Sequence, residues 1–179
     1  MQGASVTLLK SHCQPTVLTL IVASGICVRY DSGVITPSIY IASDHGGLEL
    51  KTRILAYLTT SVRIIDLGTN DAASVDYPDF ADRLCSEVLQ DSNGQGILIC
   101  GTGIGISIRA NRHVGIRAAL VTSELMAEMA KAHNDANVLC IGGRTTSLEN
   151  AIAYIKRWLS TSFEGGRHQL RLDKLDRPT

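Results

Sequence analysis

The chain has 179 residues, 45% apolar and 19% charged, with 17 basic and 17 acidic side chains and a formal net charge of zero. That size and composition describe a globular protein with one domain-sized core, and the lack of a basic field argues against nucleic acid as the main partner. Five cysteines, an odd number with no CxxC pair, argue against a disulfide framework or a zinc site and fit reduced thiols in the cytoplasm.

Residues 1–38 read differently from the rest. Val17 to Val28 is mostly apolar and follows Lys10. Twelve residues are too few to span a bilayer, so no membrane partner is expected. The run resembles the apolar part of a signal peptide, with Ala23-Ser24-Gly25 near a cut. The reading preferred here is an N-terminal extension: an extra strand, a loose segment, or an upstream stretch translated from a start codon assigned too early. Pro37-Ser38 marks the entry to a domain spanning 39–179.

From Ile39 onward, strands alternate with helices. Ile39–Ser43 predicts a strand, and Leu50, Ile54, Leu55 and Leu58 give the next segment a helical apolar face. Val62–Leu67 predicts a second strand. Asp79–Leu89 predicts a helix, with Pro78 just before its start. Ile97–Cys100 is a short apolar run of the kind buried on both faces of a sheet. A helix over Gly105–Asn111, a strand over Ile116–Val121 and a helix over Glu124–Ala132 capped by Ser123 follow. Val138–Ile141 predicts the fifth strand. A last helix runs from Ser147 to about Leu159, and a polar tail closes the chain from Phe163. This order predicts an α/β fold: one Rossmann-like α/β/α domain, with a five-stranded parallel sheet and helices on both faces.

Ligands of such sheets bind beyond the carboxyl ends of the strands. The most pointed of these ends is Cys100-Gly101-Thr102-Gly103-Ile104-Gly105. Three glycines leave the backbone bare where a strand stops and a helix opens, which makes a cradle for an anion. A thiol entering that cradle suggests proton or nucleophilic chemistry. A lone cysteine on an apolar strand is ordinarily a core residue, and the glycines reverse that preference.

Six blocks carry a closer likeness. They are Ile41-Ala42-Ser43-Asp44-His45-Gly46-Gly47, Asp66-Leu67-Gly68-Thr69, Val75-Asp76-Tyr77-Pro78, the Cys100 loop, His133-Asn134-Asp135-Ala136-Asn137-Val138 and Glu164-Gly165-Gly166-Arg167-His168. In this order they resemble the ribose-5-phosphate isomerase B family, which also includes galactose-6-phosphate isomerase subunits. The likeness runs from about residue 39 to 175. It implies interconversion of ribose 5-phosphate and ribulose 5-phosphate with no metal or cofactor. It also implies a homodimer, or a dimer of dimers, whose sites are shared between subunits.

The resemblance assigns roles. Cys100 is the base that moves a proton between neighbouring carbons; in another branch of the family a glutamate six positions on does so, and Ile106 stands there in this chain. Thr102 and the amides of Gly101, Gly103, Ile104 and Gly105 hold the developing oxyanion. His133 opens the sugar ring, a task suited to a group titrating near neutrality, and Asn134 binds a hydroxyl beside it. Asp44 and Tyr77 face the sugar. His45, Arg144, Arg167 and Arg171 hold the phosphate, for which arginine forks are apt. Arg117 and His168 are weaker candidates. Arg109 stands where family members usually carry a small residue and reads as a surface side chain.

Each residue also has a plainer reading: an Asp cap, a Tyr before Pro, a histidine closing a helix, a solvated arginine tail. Three other functions compete. Gly101-x-Gly103 with Glu124 downstream resembles part of a dinucleotide fingerprint, but Gly105 breaks the spacing and the chain lacks a substrate domain. A non-catalytic sugar-phosphate sensor would need neither base nor ring-opener. A galactose- or allose-6-phosphate isomerase differs only in the room around the sugar.

Overall fold

The computed structural model describes residues 18–21, 27–30, 38–58 and 63–177. The chain forms two compact units, Met1–Thr36 and Pro37–Thr179. In the first, β1 (Leu18–Ile21) and β2 (Cys27–Tyr30) pair antiparallel, with Leu18 opposite Tyr30. The apolar run read from the sequence thus contributes to two short strands. Ala23-Ser24-Gly25 lies outside the described residues.

The second unit is β3 (Ile39–Ser43), α1 (Leu48–Leu58), β4 (Ile64–Asp66), α2 (Tyr77–Gln90), β5 (Gln95–Cys100), α3 (Ile104–Ala110), β6 (Ala118–Leu120), α4 (Glu124–Ala132), β7 (Val138–Gly142), α5 (Leu148–Ser160) and α6 (Arg167–Leu175). Its five strands are all parallel, in the order β4-β3-β5-β7-β6. The expected doubly covered parallel sheet is what forms. β3 and β7 are buried at every position, which is why they read as unbroken apolar runs rather than alternating ones.

Side chains alternate between the two faces. Ile39, Ile41, Ile97, Ile99, Leu139 and Ile141 pack against α1, α4 and α5 around the fully buried Trp158. Tyr40, Ala42, Leu98, Cys100 and Cys140 pack against α2 and α3, meeting Phe80, Leu84 and Ile106. The chain leaves β3 towards β4 on one side and returns past it to β5 on the other. This reversal places the loops after β3 and β5 side by side, where such sheets bind ligands.

Two departures from the expected elements have clear causes. α2 begins at Tyr77, so Pro78 lies in its first turn, where its missing N–H is harmless. The polar tail folds: Arg167–Leu175 is helix α6, although its sequence is strongly polar. Only His168 and Leu172, four residues apart, are buried on it. One turn-to-turn pair is too little pattern to announce a helix, and contact with the rest of the domain supplies what periodicity does not.

Lys51 of α1 is 1% exposed, and its ammonium lies 2.6 and 2.7 Å from the Asp66 carboxylate oxygens and 3.0 Å from Asn70 Oδ1. Asp66 also accepts the Gly68 N–H at 2.9 Å, so this ion pair shapes the loop after β4. Removing one partner strands the other charge in the interior. Asp66→Ala should cost about 3 kcal/mol in urea unfolding, and Lys51→Met in the same chain should recover much of it.

Candidate active site

Cys100 ends β5. The glycine turn after it follows from sterics: Gly103 adopts φ +77°, and a Cβ there would lie 2.6 Å from Leu120 Cδ1. Only glycine makes this turn without strain. The turn aims the Gly103 N–H at the Cys100 sulfur, 3.1 Å away. The Ile104 N–H points at Thr102 Oγ1 at 3.4 Å, but Gly103, not Thr102, stands at the cap position of α3. Cys100 is 4% exposed, and any chemistry at its sulfur takes place in a largely dry position.

Two other cysteines share this face of the sheet. Burial, reinforced by the nearby Asp82 charge, pushes the Cys85 thiol up to about 12. Burial likewise holds the Cys140 thiol well above its ordinary range. Both are inert core residues by this measure. Cys100 alone of the three stands at a strand end beneath a glycine turn.

The neighbouring loops close on it. Gly143 N–H donates to Cys100 O at 2.8 Å, and Arg144 N–H to Gly101 O at 3.0 Å. The Arg144 guanidinium lies over Gly101, with Cζ 3.4 Å from where a Cβ would stand. Asp44 is 7% exposed, and its Oδ1 accepts the Gly47 N–H at 3.0 Å, capping the turn into α1. His45 Nδ1 accepts the Val75 N–H at 3.2 Å and ties down the segment leading to Tyr77. Tyr77 in turn lies against Gly105: a Cβ there would come within 2.8 Å of its hydroxyl oxygen. His45, Gly46, Gly143 and Arg144 line a cleft of about 590 Å³ with the first turns of α1 and α5. Asp44, His45, Tyr77, Thr102, Gly101, Gly103, Ile104, Gly105 and Arg144 are therefore gathered around Cys100.

The remaining predicted residues are not. His133 caps the carboxyl end of α4, on the other face of the sheet. A helix that follows a parallel strand runs back, so His133 lies at the sheet's amino edge. The Asn137 carbonyl, four residues on, accepts the N–H of Gly96 at the start of β5 at 2.8 Å. The strand between that edge and Cys100 is about 13 Å long.

At this second location the His133 ring stacks on His168, centroids 4.1 Å apart and planes 9° from parallel. Glu164 Oε2 lies 3.8 Å from His133 Nε2 and 3.5 Å from His168 Nε2. Arg167 Nε donates to His168 Nε2 at 3.4 Å, and Arg171 follows one turn later, exposed. Arg117 fastens the group. Its guanidinium pairs with Asp135 and Asp176 at 3.0 Å, and its Nε–H donates to the Asn134 carbonyl at 2.9 Å. Asp135 holds a left-handed φ of 42°, and Lys131 bonds its other oxygen at 2.7 Å. Glu164 carries no role in the sequence reading, although its spacing of four from His168 is visible there. Arg109 is confirmed as a surface side chain, paired with Asp82 at 2.6 Å.

The family model described as Ribose/Galactose Isomerase matches residues 39–175. A putative sugar phosphate isomerase of Rickettsia conorii is 50% identical over 141 residues, which cover 78% of this chain and 98% of that protein. Ribose-5-phosphate isomerase B of Escherichia coli K12 is 43% identical over 133 residues, covering 74% and 89%. Among solved structures, the ribose 5-phosphate isomerase of Thermotoga maritima superposes with a TM-score of 0.76 at 45% identity, covering 78% of this chain and 97% of that one. Ribose-5-phosphate isomerase B of Mycoplasma genitalium with bound ribulose-5-phosphate gives 0.74 at 45%, covering 78% and 93%. The blocks read from the sequence, the parallel sheet that carries them and these matches agree: the chain belongs to the ribose/galactose isomerase family.

Proposed function

We propose that this chain interconverts ribose 5-phosphate and ribulose 5-phosphate through an enediolate, with the Cys100 sulfur as the base. The observation that carries this reading is the Gly103 N–H held 3.1 Å from that sulfur, with the Arg144 guanidinium lying over the neighbouring Gly101. The bound ribulose-5-phosphate of the Mycoplasma genitalium relative supports the substrate class.

The chemistry follows from the parts. A proton on the carbon beside an aldehyde is weakly acidic, and a thiolate removes it only if the charge passed to oxygen is stabilised. Thr102 and the amides of the 101–105 loop supply that stabilisation. Asp44 and Tyr77 orient the hydroxyls. His45 and Arg144 hold one side of the phosphate. His133 protonates the ring oxygen to free the aldehyde, with Asn134 beside it, and Arg167 and Arg171 complete the phosphate grip.

These last four residues stand at the wrong end of the sheet to serve the Cys100 of their own chain. The reading therefore includes a homodimer in which each site takes its ring-opener and two arginines from the second copy. α3 turns Ile104 and Ile108 outward, each 53% exposed, as apolar surface for such a contact. Cys85, Cys100 and Cys140 are free thiols, which fits a cytoplasmic enzyme. No helix among the described residues is long and apolar enough to cross a membrane.

The direct test is isomerase assay of the purified chain with ribose 5-phosphate, allose 6-phosphate and galactose 6-phosphate. Preference for the pentose is expected; turnover of a hexose phosphate alone would shift the assignment within the family. Arg167→Ala should raise KM for ribose 5-phosphate at least tenfold and leave kcat within a few-fold, because phosphate is gripped alike in ground and transition states. Steady-state kinetics separate the two parameters.

A further inference from the structure

The pairing of His133 with His168 goes beyond a ring-opening histidine acting alone. His168 is 4% exposed, its ring lies flat under His133, and Arg167 donates to its Nε2. A neutral imidazole that accepts at Nε2 carries its proton on Nδ1. Burial first, then the charges of His133 and Arg167, hold its pKa below the ordinary histidine range. Glu164 faces both rings, and its backbone N–H donates to Ala132 O at 3.0 Å, joining its segment to the last turn of α4. The charged groups around the pair are thus Glu164, Arg167 and Arg171, all from the segment that packs on the end of α4.

His133 has less to hold it. Its side chain is 35% exposed and it caps a helix end, where a free imidazole would turn about χ1 and χ2. A general acid must meet its acceptor oxygen within hydrogen-bond reach, and small misplacements are costly in rate.

We propose that His168 is a positioning residue for the ring-opening step: a buried neutral imidazole that fixes the plane of His133. This rests on the reading of His133 as the ring-opener. The donor atoms of His133, Glu164 and His168 lie within 4.8 Å of one another, a spacing that also suggests a cation. The ring geometry opposes that. Lone pairs lie in the ring planes, and two stacked, nearly parallel rings with centroids 4.1 Å apart cannot both direct them at one ion at about 2.0–2.1 Å. Arg167 also already bonds His168 Nε2.

The test separates ring opening from proton transfer. Ribose 5-phosphate is mostly cyclic. Ribulose 5-phosphate cannot close a furanose, because its O5 carries the phosphate, so exchange of its C1 hydrogen with D₂O needs the base but no ring-opener. His168→Gln removes the flat ring and keeps an acceptor for Arg167. His168→Phe keeps the ring and loses the acceptor. Glutamine should lower kcat for ribose 5-phosphate by roughly ten- to a hundredfold while exchange into ribulose 5-phosphate, followed by NMR, stays within about twofold of wild type. Phenylalanine should keep kcat within a few-fold and raise KM. Equal loss of isomerisation and exchange in the glutamine variant, or a phenylalanine variant as slow as the glutamine one, overturns the proposal. His133→Asn is the control. If it spares isomerisation, the ring-opener reading fails. If it selectively stops isomerisation while glutamine at 168 does nothing, only the positioning role fails.

Discussion

Cys100→Ala is expected to lower turnover of ribose 5-phosphate on the order of 10³-fold or more while sugar phosphate still binds. The substitution removes the proposed base and leaves the loops that hold the substrate, since Arg144 N–H donates to Gly101 O and His45 Nδ1 accepts the Val75 N–H, neither through the sulfur. The lost sulfur leaves a small hole in the α2–α3 packing, costing about 1 kcal/mol, too little to unfold the domain. Calorimetric binding of ribose 5-phosphate with a urea unfolding curve checks both points. Unchanged turnover would take Cys100 out of the mechanism. In the wild type, alkylation followed by mass spectrometry should mark Cys100 in preference to Cys85 and Cys140, and sugar phosphate should slow it. Burial and, for Cys85, the Asp82 charge keep those two thiols protonated.

The second large effect concerns where His133 lies. Cys100 and His133 occupy opposite ends and opposite faces of one sheet. If each site draws its histidine from the other copy, Cys100→Ala and His133→Asn are each nearly inactive alone yet complement each other. In a symmetric dimer carrying one of each, one site has both defects and the other has neither. Dissociating and reassociating equal amounts should restore about a quarter of wild-type activity, because half the dimers are mixed and each has one good site. No recovery after demonstrated subunit exchange would mean that the two residues serve the same chain's site or no common site.

Much of the site is visible in the residues themselves. Of the three glycines after the apolar strand, Gly103 marks the bare turn most sharply, because a side chain at φ +77° there would run into Leu120 and Ile141. The Asp44-His45 pair, the Tyr77-Pro78 turn and Gly142-Gly143-Arg144 announce themselves as strand ends or helix starts. Less visible were Lys51 and Glu164. A lysine on a helix normally reads as solvated, and only the fold brings Asp66 against it. Helix α6 was hidden for the same kind of reason, since its two inward residues include a histidine among many charges.

Local pattern by itself determined the alternation of strand and helix, the parallel sheet and the glycine turn that follows Cys100. Those depend on residues near one another in sequence, through side-chain period, backbone sterics and turn geometry. Tertiary structure alone decided which of these groups can meet. Strand order brings the loops after β3, β5 and β7 together, while the return path of α4 carries His133, and α6 with it, to the far edge. That division is a property of direction and connectivity in three dimensions, and it sends six blocks along one chain to two ends of one sheet.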